Sequence, residues 1–319
     1  MSALTRPPYD PELQAALELI PGLQVQLTME MLPALRSAPT GPPIASLLQG
    51  REVEAVDYIV PGYEGAEIVV SVLRRKDHAG PDSPGVYNIH GGGMIGGDRW
   101  TGVESLINLV EDFDAVGATV EYRLAPEFPD PVPVEDCYAG LVWFAAQAQE
   151  LGFDRERVMV MGASAGGGLS AGTVLLARDR SAPHVHAQLL VCPMLDDRNQ
   201  TVSSQQYDGI GVWDRGSNIF GWGALLGDRA GSDDVSIYAA PGRATDLSNL
   251  PPTYIDAGSA EVFRDEAVAY ATRIWEAGGQ AELHIWAGGF HGFEMIGTAA
   301  VSKAAGEAKA AWLRRYVTS

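Results

Sequence analysis

The chain is short of basic residues, of cysteine and of long apolar runs. It carries 22 basic residues against 41 acidic ones, a formal net charge of -19. So acidic a surface repels polyanions, which excludes nucleic acid and other phosphate-rich partners. The largest basic cluster, Arg74-Arg75-Lys76, reads as a solvated strand end. Two cysteines, Cys137 and Cys192, are too few for a disulfide framework, and each sits in an apolar stretch as a buried thiol would. No apolar run approaches the roughly 20 residues of a membrane-spanning helix, so membrane insertion is not expected. The opening residues, Met1-Ser2-Ala3-Leu4-Thr5-Arg6-Pro7-Pro8, lack the basic and then apolar order of a secretory leader. The expected location is the cytoplasm.

What is present is ordinary globular composition: 319 residues, 46% hydrophobic and 20% charged. Residues 1–50 are Pro-punctuated, with a helical apolar period over 11–20. From 53 onward the period changes. Residues 53–58 and 66–73 read as a hairpin turned through Pro61-Gly62 and Gly65. Strands at 86–89, 118–122, 158–161, 187–192, 253–257 and 282–286 then alternate with helices at 103–116, 134–151, 166–178, 263–277 and 300–317. Such alternation builds a mainly parallel sheet with helices on both faces. Residues 198–238, rich in Gly, Ser, Asp and Trp, fit no strand and read as a cap or lid insertion. Within it Trp213, Phe220 and Trp222 either line an acyl pocket or pack the cap onto the core. Asp196-Asp197 and Asp233-Asp234 lack histidine neighbours and read as solvated turns.

Two glycine-rich segments carry the chemistry. Gly162-Ala163-Ser164-Ala165-Gly166 is G-x-S-x-G, placed after an apolar strand and before a helix. That is where a sharp turn exposes a nucleophilic serine. His90-Gly91-Gly92-Gly93 is the H-G-G-G signal, whose backbone N–H groups bind an oxyanion. Neither triple-glycine stretch has the pattern of a phosphate loop. A serine hydroxyl needs a base. Of six histidines, His291 in Phe290-His291-Gly292-Phe293 follows the last strand, and the chain order of serine, acid and histidine fits it. His90 reads as a brace for the oxyanion loop.

These motifs, with Glu121-Tyr122-Arg123-Leu124-Ala125-Pro126-Glu127 and Val134-Glu135-Asp136, resemble the hormone-sensitive-lipase-like esterases of bacterial family IV from about residue 50 to the C-terminus. The resemblance implies an α/β-hydrolase fold, a mostly parallel central sheet flanked by helices. A helical cap would draw on residues 1–50 and on an insertion at 198–238 of the catalytic domain, 51–319. It implies a serine carboxylesterase, tolerant of hindered alcohols, acting without cofactor and as a homodimer; with no long apolar lid helix evident, short- to medium-chain esters are expected, and no residue cluster reads as a metal site. It places the oxyanion donors at Gly92, Gly93 and Ala165. The acid falls on Glu261 in Glu261-Val262-Phe263-Arg264-Asp265-Glu266, where the family usually has aspartate; Asp265 and Asp256 remain rivals. An amide or lactone hydrolase with the same triad, and a non-catalytic small-molecule receptor on the same fold, are the alternatives.

Overall fold

The computed structural model describes residues 4–20 and 25–317. The expectations for Met1–Ala3, and for residues 21–24 of the N-terminal stretch, lie outside the described residues. Helix α1 (Pro11–Glu18) opens with Asp10 as its cap and proline in its first turn. The Asp10 carboxylate accepts from the N–H groups of Glu12 and Leu13, satisfying two donors that have no partner inside the helix. Short helices α2 (Leu32–Ser37) and α3 (Ile44–Leu47) follow. Strands β1 (Val53–Pro61) and β2 (Glu67–Arg75) form the expected antiparallel hairpin.

Alternation then sets in: β3 (Ser83–Ile89), α4 (Glu104–Phe113), β4 (Val116–Glu121), α5 (Val132–Ala146), α6 (Ala148–Leu151), β5 (Phe153–Ala163), α7 (Ala165–Asp179) and β6 (Ala187–Val191). Helices α8 (Val202–Gln206) and α9 (Arg215–Leu226) come from the insertion. The chain closes with β7 (Thr253–Gly258), α10 (Arg264–Glu276), β8 (Ala281–Trp286) and α11 (Ala300–Val317). The eight strands make one sheet in the order β1-β2-β4-β3-β5-β6-β7-β8, with parallel pairing from β4 through β8. Both faces are covered. On β5, Val158 and Val160 pack toward α5, α7 and α10, whereas Met159 and Met161 pack toward α4 and α11. Because β3, β5, β7 and β8 run the same way, the loops that follow them meet at one edge of the sheet, where ligands bind in open α/β sheets.

The N-terminal segment and the insertion both lie over that edge. Leu13 and Leu17 of α1 pack with Phe290 and Phe293 of the loop after β8. The Leu27 N–H donates to Ser217 Oγ on α9 at 2.9 Å. Arg36 of α2 donates to the carbonyls of Ile95 and Ala125 and forms a two-pronged pair with Glu127, fixing this segment beside the oxyanion loop.

Several expectations need correction. The helix expected at 103–116 ends at Phe113, because Asp114 takes a left-handed backbone (φ 51°) and its carboxylate ties back to His78 and the Ala79 N–H. Val116 already belongs to the sheet. The helix expected at 134–151 is two, broken at Gln147. Asp196-Asp197 is not a solvated turn: Asp197 is buried and paired with Arg243 at 2.5 Å, and Asp196 pairs with Arg198. The reading holds for Asp233 and Asp234, which are exposed.

A second buried pair anchors the hairpin. Asp136 of α5, fully buried, accepts from Arg123 at 2.8 Å through each oxygen and from the Tyr63 N–H at 2.9 Å. Arg123 in turn donates to the Tyr63 carbonyl. Replacing Asp136 by alanine strands Arg123 and a backbone donor, so the expected cost is about 3 kcal/mol. It is read as a lower urea midpoint at unchanged slope; an unshifted midpoint would show that the pair contributes no stability.

Candidate active site

Ser164 sits between β5 and α7 with φ 60° and ψ -124°, a backbone conformation costing a non-glycine residue about 1–3 kcal/mol. Neighbouring backbone over-determines it. The Ser164 N–H donates to the Val191 carbonyl at 2.8 Å, and its own carbonyl accepts from Met194 N–H at 3.0 Å. Gly166 lets the start of α7 press on the end of β3, since a Cβ there would lie 2.1 Å from the Ile89 carbonyl oxygen. The side chain is thereby thrown out toward the edge where the other loops gather.

His291 completes the contact. Its Nε2 lies 2.9 Å from Ser164 Oγ, and its Nδ1 lies 2.7 Å from Glu261 Oε2. The other oxygen of Glu261 accepts the Gly258 N–H at 2.7 Å, and the side chain is buried. With Nδ1–H donated to a carboxylate, Nε2 is left with its lone pair toward the serine hydroxyl. Phe263 meets the imidazole edge-on at 5.1 Å and limits its rotation.

The rival acids stand elsewhere. Asp265, in the first turn of α10, accepts from the Ser203 N–H at 2.7 Å and from Arg264. Burial pushes its carboxyl up, but Arg264 and the Ser203 donors outweigh this and hold it low. Asp256 is buried within β7, bonded to Tyr254 and Trp286 rather than closing a loop. Burial raises its carboxyl to about 7. Neither has a hydrogen bond to His291.

Of the glycine donors, Gly92 takes φ 115°, and a Cβ on it would lie 2.1 Å from the Gly96 carbonyl oxygen. Only glycine fits there. Among the described residues, the N–H groups of Gly92, Gly93 and Ala165 have no acceptor within the protein. They are free to bind a developing oxyanion, aided by the N-terminal end of α7. His90 braces this loop as expected. It is buried, stacks on Tyr122 at 4.2 Å and donates through Nδ1 to the Gly91 carbonyl. Burial lowers its pKa, so the ring stays neutral.

Cys192, read only as a buried thiol, has a second relation. Its sulfur, a Glu261 oxygen and a His291 nitrogen lie within 4.8 Å of one another. Such a donor set suits a thiophilic metal in kind, but not in spacing. Two ligands on one tetrahedral zinc lie about 3.3 Å apart, whereas Glu261 and His291 are 2.7 Å apart, the distance of a shared proton. Burial pushes the thiol well up, and the carboxylates of Glu261, Asp256 and Glu294 add to this, so it stays protonated beside the serine. The aromatic residues of the insertion divide. Trp222 is buried in the core, while Trp213 reaches the site, 6.4 Å from the His291 ring, with Nε1 donating to Asn218.

A family model described as alpha/beta hydrolase fold matches residues 86–295. The esterase LipI of Mycobacterium tuberculosis is 33% identical over 231 residues, covering 71% of this chain and 70% of LipI. The carboxylesterase NlhH of the same organism is 30% identical over 314 residues, covering 96% of this chain and 94% of its own. Among solved structures, a bacterial heroin esterase is 40% identical with a TM-score of 0.89, each chain covered to 98%.

Glu261→Gln is expected to lower kcat about ten-thousandfold, because an amide no longer selects the productive tautomer. Asp265→Asn should leave kcat within a few-fold. The reverse order in steady-state assays would move the acid to Asp265.

Proposed function

The chain belongs to this alpha/beta hydrolase family, and from that membership we propose how it acts. It is a serine carboxylesterase, a hydrolase of carboxylic esters. The observation that carries the assignment of residues is the unbroken hydrogen-bonded line from Glu261 through His291 to Ser164, at 2.7 and 2.9 Å. Ser164 Oγ attacks the ester carbonyl carbon while His291 Nε2 takes its proton. Glu261, its second oxygen held by the Gly258 N–H, steadies the imidazolium without accepting the proton. The carbonyl oxygen, now negative, lies among the N–H groups of Gly92, Gly93 and Ala165. Collapse of the tetrahedral adduct breaks the bond to the alcohol oxygen, which leaves with the proton from Nε2. Water, deprotonated by the same nitrogen, then attacks the acyl-enzyme and releases the acid.

Residues 1–50 and 198–238 act as a cap over this site, a reading supported by the packing of α1 on the His291 loop and by the bond between Leu27 and Ser217. Trp213 beside Gly93 supports a preference for short- to medium-chain acyl groups. The resemblance to family IV esterases further supports a homodimer, and light scattering on the purified chain tests this.

A fluorophosphonate probe should label the protein once per chain. Ser164→Ala should abolish the label and lower kcat on a p-nitrophenyl ester roughly a millionfold. Labelling that survives in the alanine variant would place the nucleophile elsewhere.

A further inference from the structure

The insertion brings an aromatic ring against the oxyanion loop. Gly93 has φ 64°, and the place a Cβ would take there is filled by the six-membered ring of Trp213. Such a Cβ would lie 2.4 Å from Cη2, 3.1 Å from Cζ2 and 3.2 Å from Cζ3. The centre of the indole lies 6.4 Å from that of the His291 ring. Trp213 therefore stands against a donor to the ester carbonyl oxygen and beside the base, the two groups between which the reacting carbon must lie.

This ring is held in place. Its Nε1 donates to Asn218 Oδ1 at 3.2 Å, and both residues are buried. Asn218 belongs to the first turn of α9. The cap of that helix, Asp214, follows Trp213 in the chain and accepts from the N–H groups of Ser217 at 2.7 Å and Gly209 at 3.1 Å. Gly221, three residues beyond Asn218, lets α9 come close. A Cβ on it would lie 3.1 Å from the Gly93 carbonyl oxygen and 3.5 Å from Trp213 Cζ2. The indole is thus wedged between two glycines, and turning it away costs the bond to Asn218.

A wall so placed closes one side of the reacting carbon. The alcohol must depart and water must take its place at His291 Nε2, so the alcohol side has to open to solvent. The acyl group stays on Ser164 until water releases it, and it is the group that suits the closed side. We propose that Trp213 is the specificity-determining residue for the acyl group, a fixed wall that ends the acyl pocket after a few carbons, and that Asn218 is a positioning residue acting through it. The proposal rests on the esterase reading above and deepens it.

The test uses two ester series on one enzyme preparation, p-nitrophenyl esters from acetate to decanoate and acetates of alcohols from methanol to octanol. Trp213→Ala should raise the decanoate-to-acetate ratio of kcat/KM on the order of tenfold or more, the scale set by fitting or misfitting carbons in an apolar pocket. The dependence on alcohol length should keep its shape. Asn218→Leu should move the acyl ratio the same way by a smaller factor. It exchanges one unpartnered donor, Asn218 Nδ2, for another, Trp213 Nε1, so the interior gains no extra orphan. Added to Trp213→Ala, it should change the ratio no further, a result that a merely structural role would not give. A further change in the double variant would overturn the role of Asn218. An acyl ratio that neither single variant moves, or a shift confined to the alcohol series, would overturn the proposal while leaving the esterase reading intact. A parent chain that turns over no ester of either series and takes no fluorophosphonate label would overturn that reading itself.

Discussion

The site depends on one steric constraint, the close approach of backbone to backbone around Ser164. A serine at φ 60° does not hold that conformation by itself. It is fixed because β6 takes its N–H, Met194 takes its carbonyl, and glycine at 166 lets α7 touch the end of β3. The same contact carries consequences to both sides. Pressing α7 against the end of β3 sets where the oxyanion loop begins, so the Gly92 and Gly93 donors and the Ala165 donor share one frame. Pulling the chain after β6 toward Ser164 puts Cys192 at φ 36° and brings its thiol beside the Glu261–His291 pair. The strain at the serine is local, and the parallel strands on either side offset it.

That frame explains why so much was legible in the sequence. A parallel sheet announces itself through repeated apolar strands, and the motifs lie where such strands end. Ser164, His291 and the glycines are therefore placed by local chemistry: a nucleophile on a sharp turn, donors without side chains, a histidine after the last strand. The resemblance to family IV esterases pointed to Glu261 despite the missing aspartate, and the 2.7 Å contact with His291 accords with it. Choosing among Glu261, Asp265 and Asp256 needed three dimensions, because the three carboxylates lie close together in the chain, on β7, in the loop after it and in the first turn of α10. What separates them is which donors each has already met.

Other features were illegible for the same reason. Nothing in Asp196-Asp197 tells that one carboxylate, partly buried, pairs with its near neighbour Arg198 while the other meets Arg243, 46 residues along the chain, in the interior. Helix ends at Phe113 and Ala146 were overrun because apolar periodicity continues past them into the next element. The partner that ends α4 is a histidine 36 residues earlier, His78, holding Asp114. Sequence reading finds what neighbours in the chain dictate, and it misses charge pairs and caps whose partners arrive from elsewhere.

Glutamate in place of aspartate has a physical account in these surroundings. The carboxylate must meet the imidazole edge-on while remaining buried, so both of its oxygens need donors. One takes the Nδ1–H of His291. The other takes the N–H of Gly258, three residues earlier at the end of β7. Glu261 thus closes a short loop on its own strand, and the extra methylene spans the distance from that loop to the histidine. An aspartate on the same backbone would stop short of one donor or the other. The small side chain of Cys192 beside the pair leaves room for the longer acid, and its protonated thiol adds no competing charge. The departure at residue 261 is thereby accommodated by its neighbours, and the geometry delivered to Ser164 is that of an ordinary hydrogen-bonded triad.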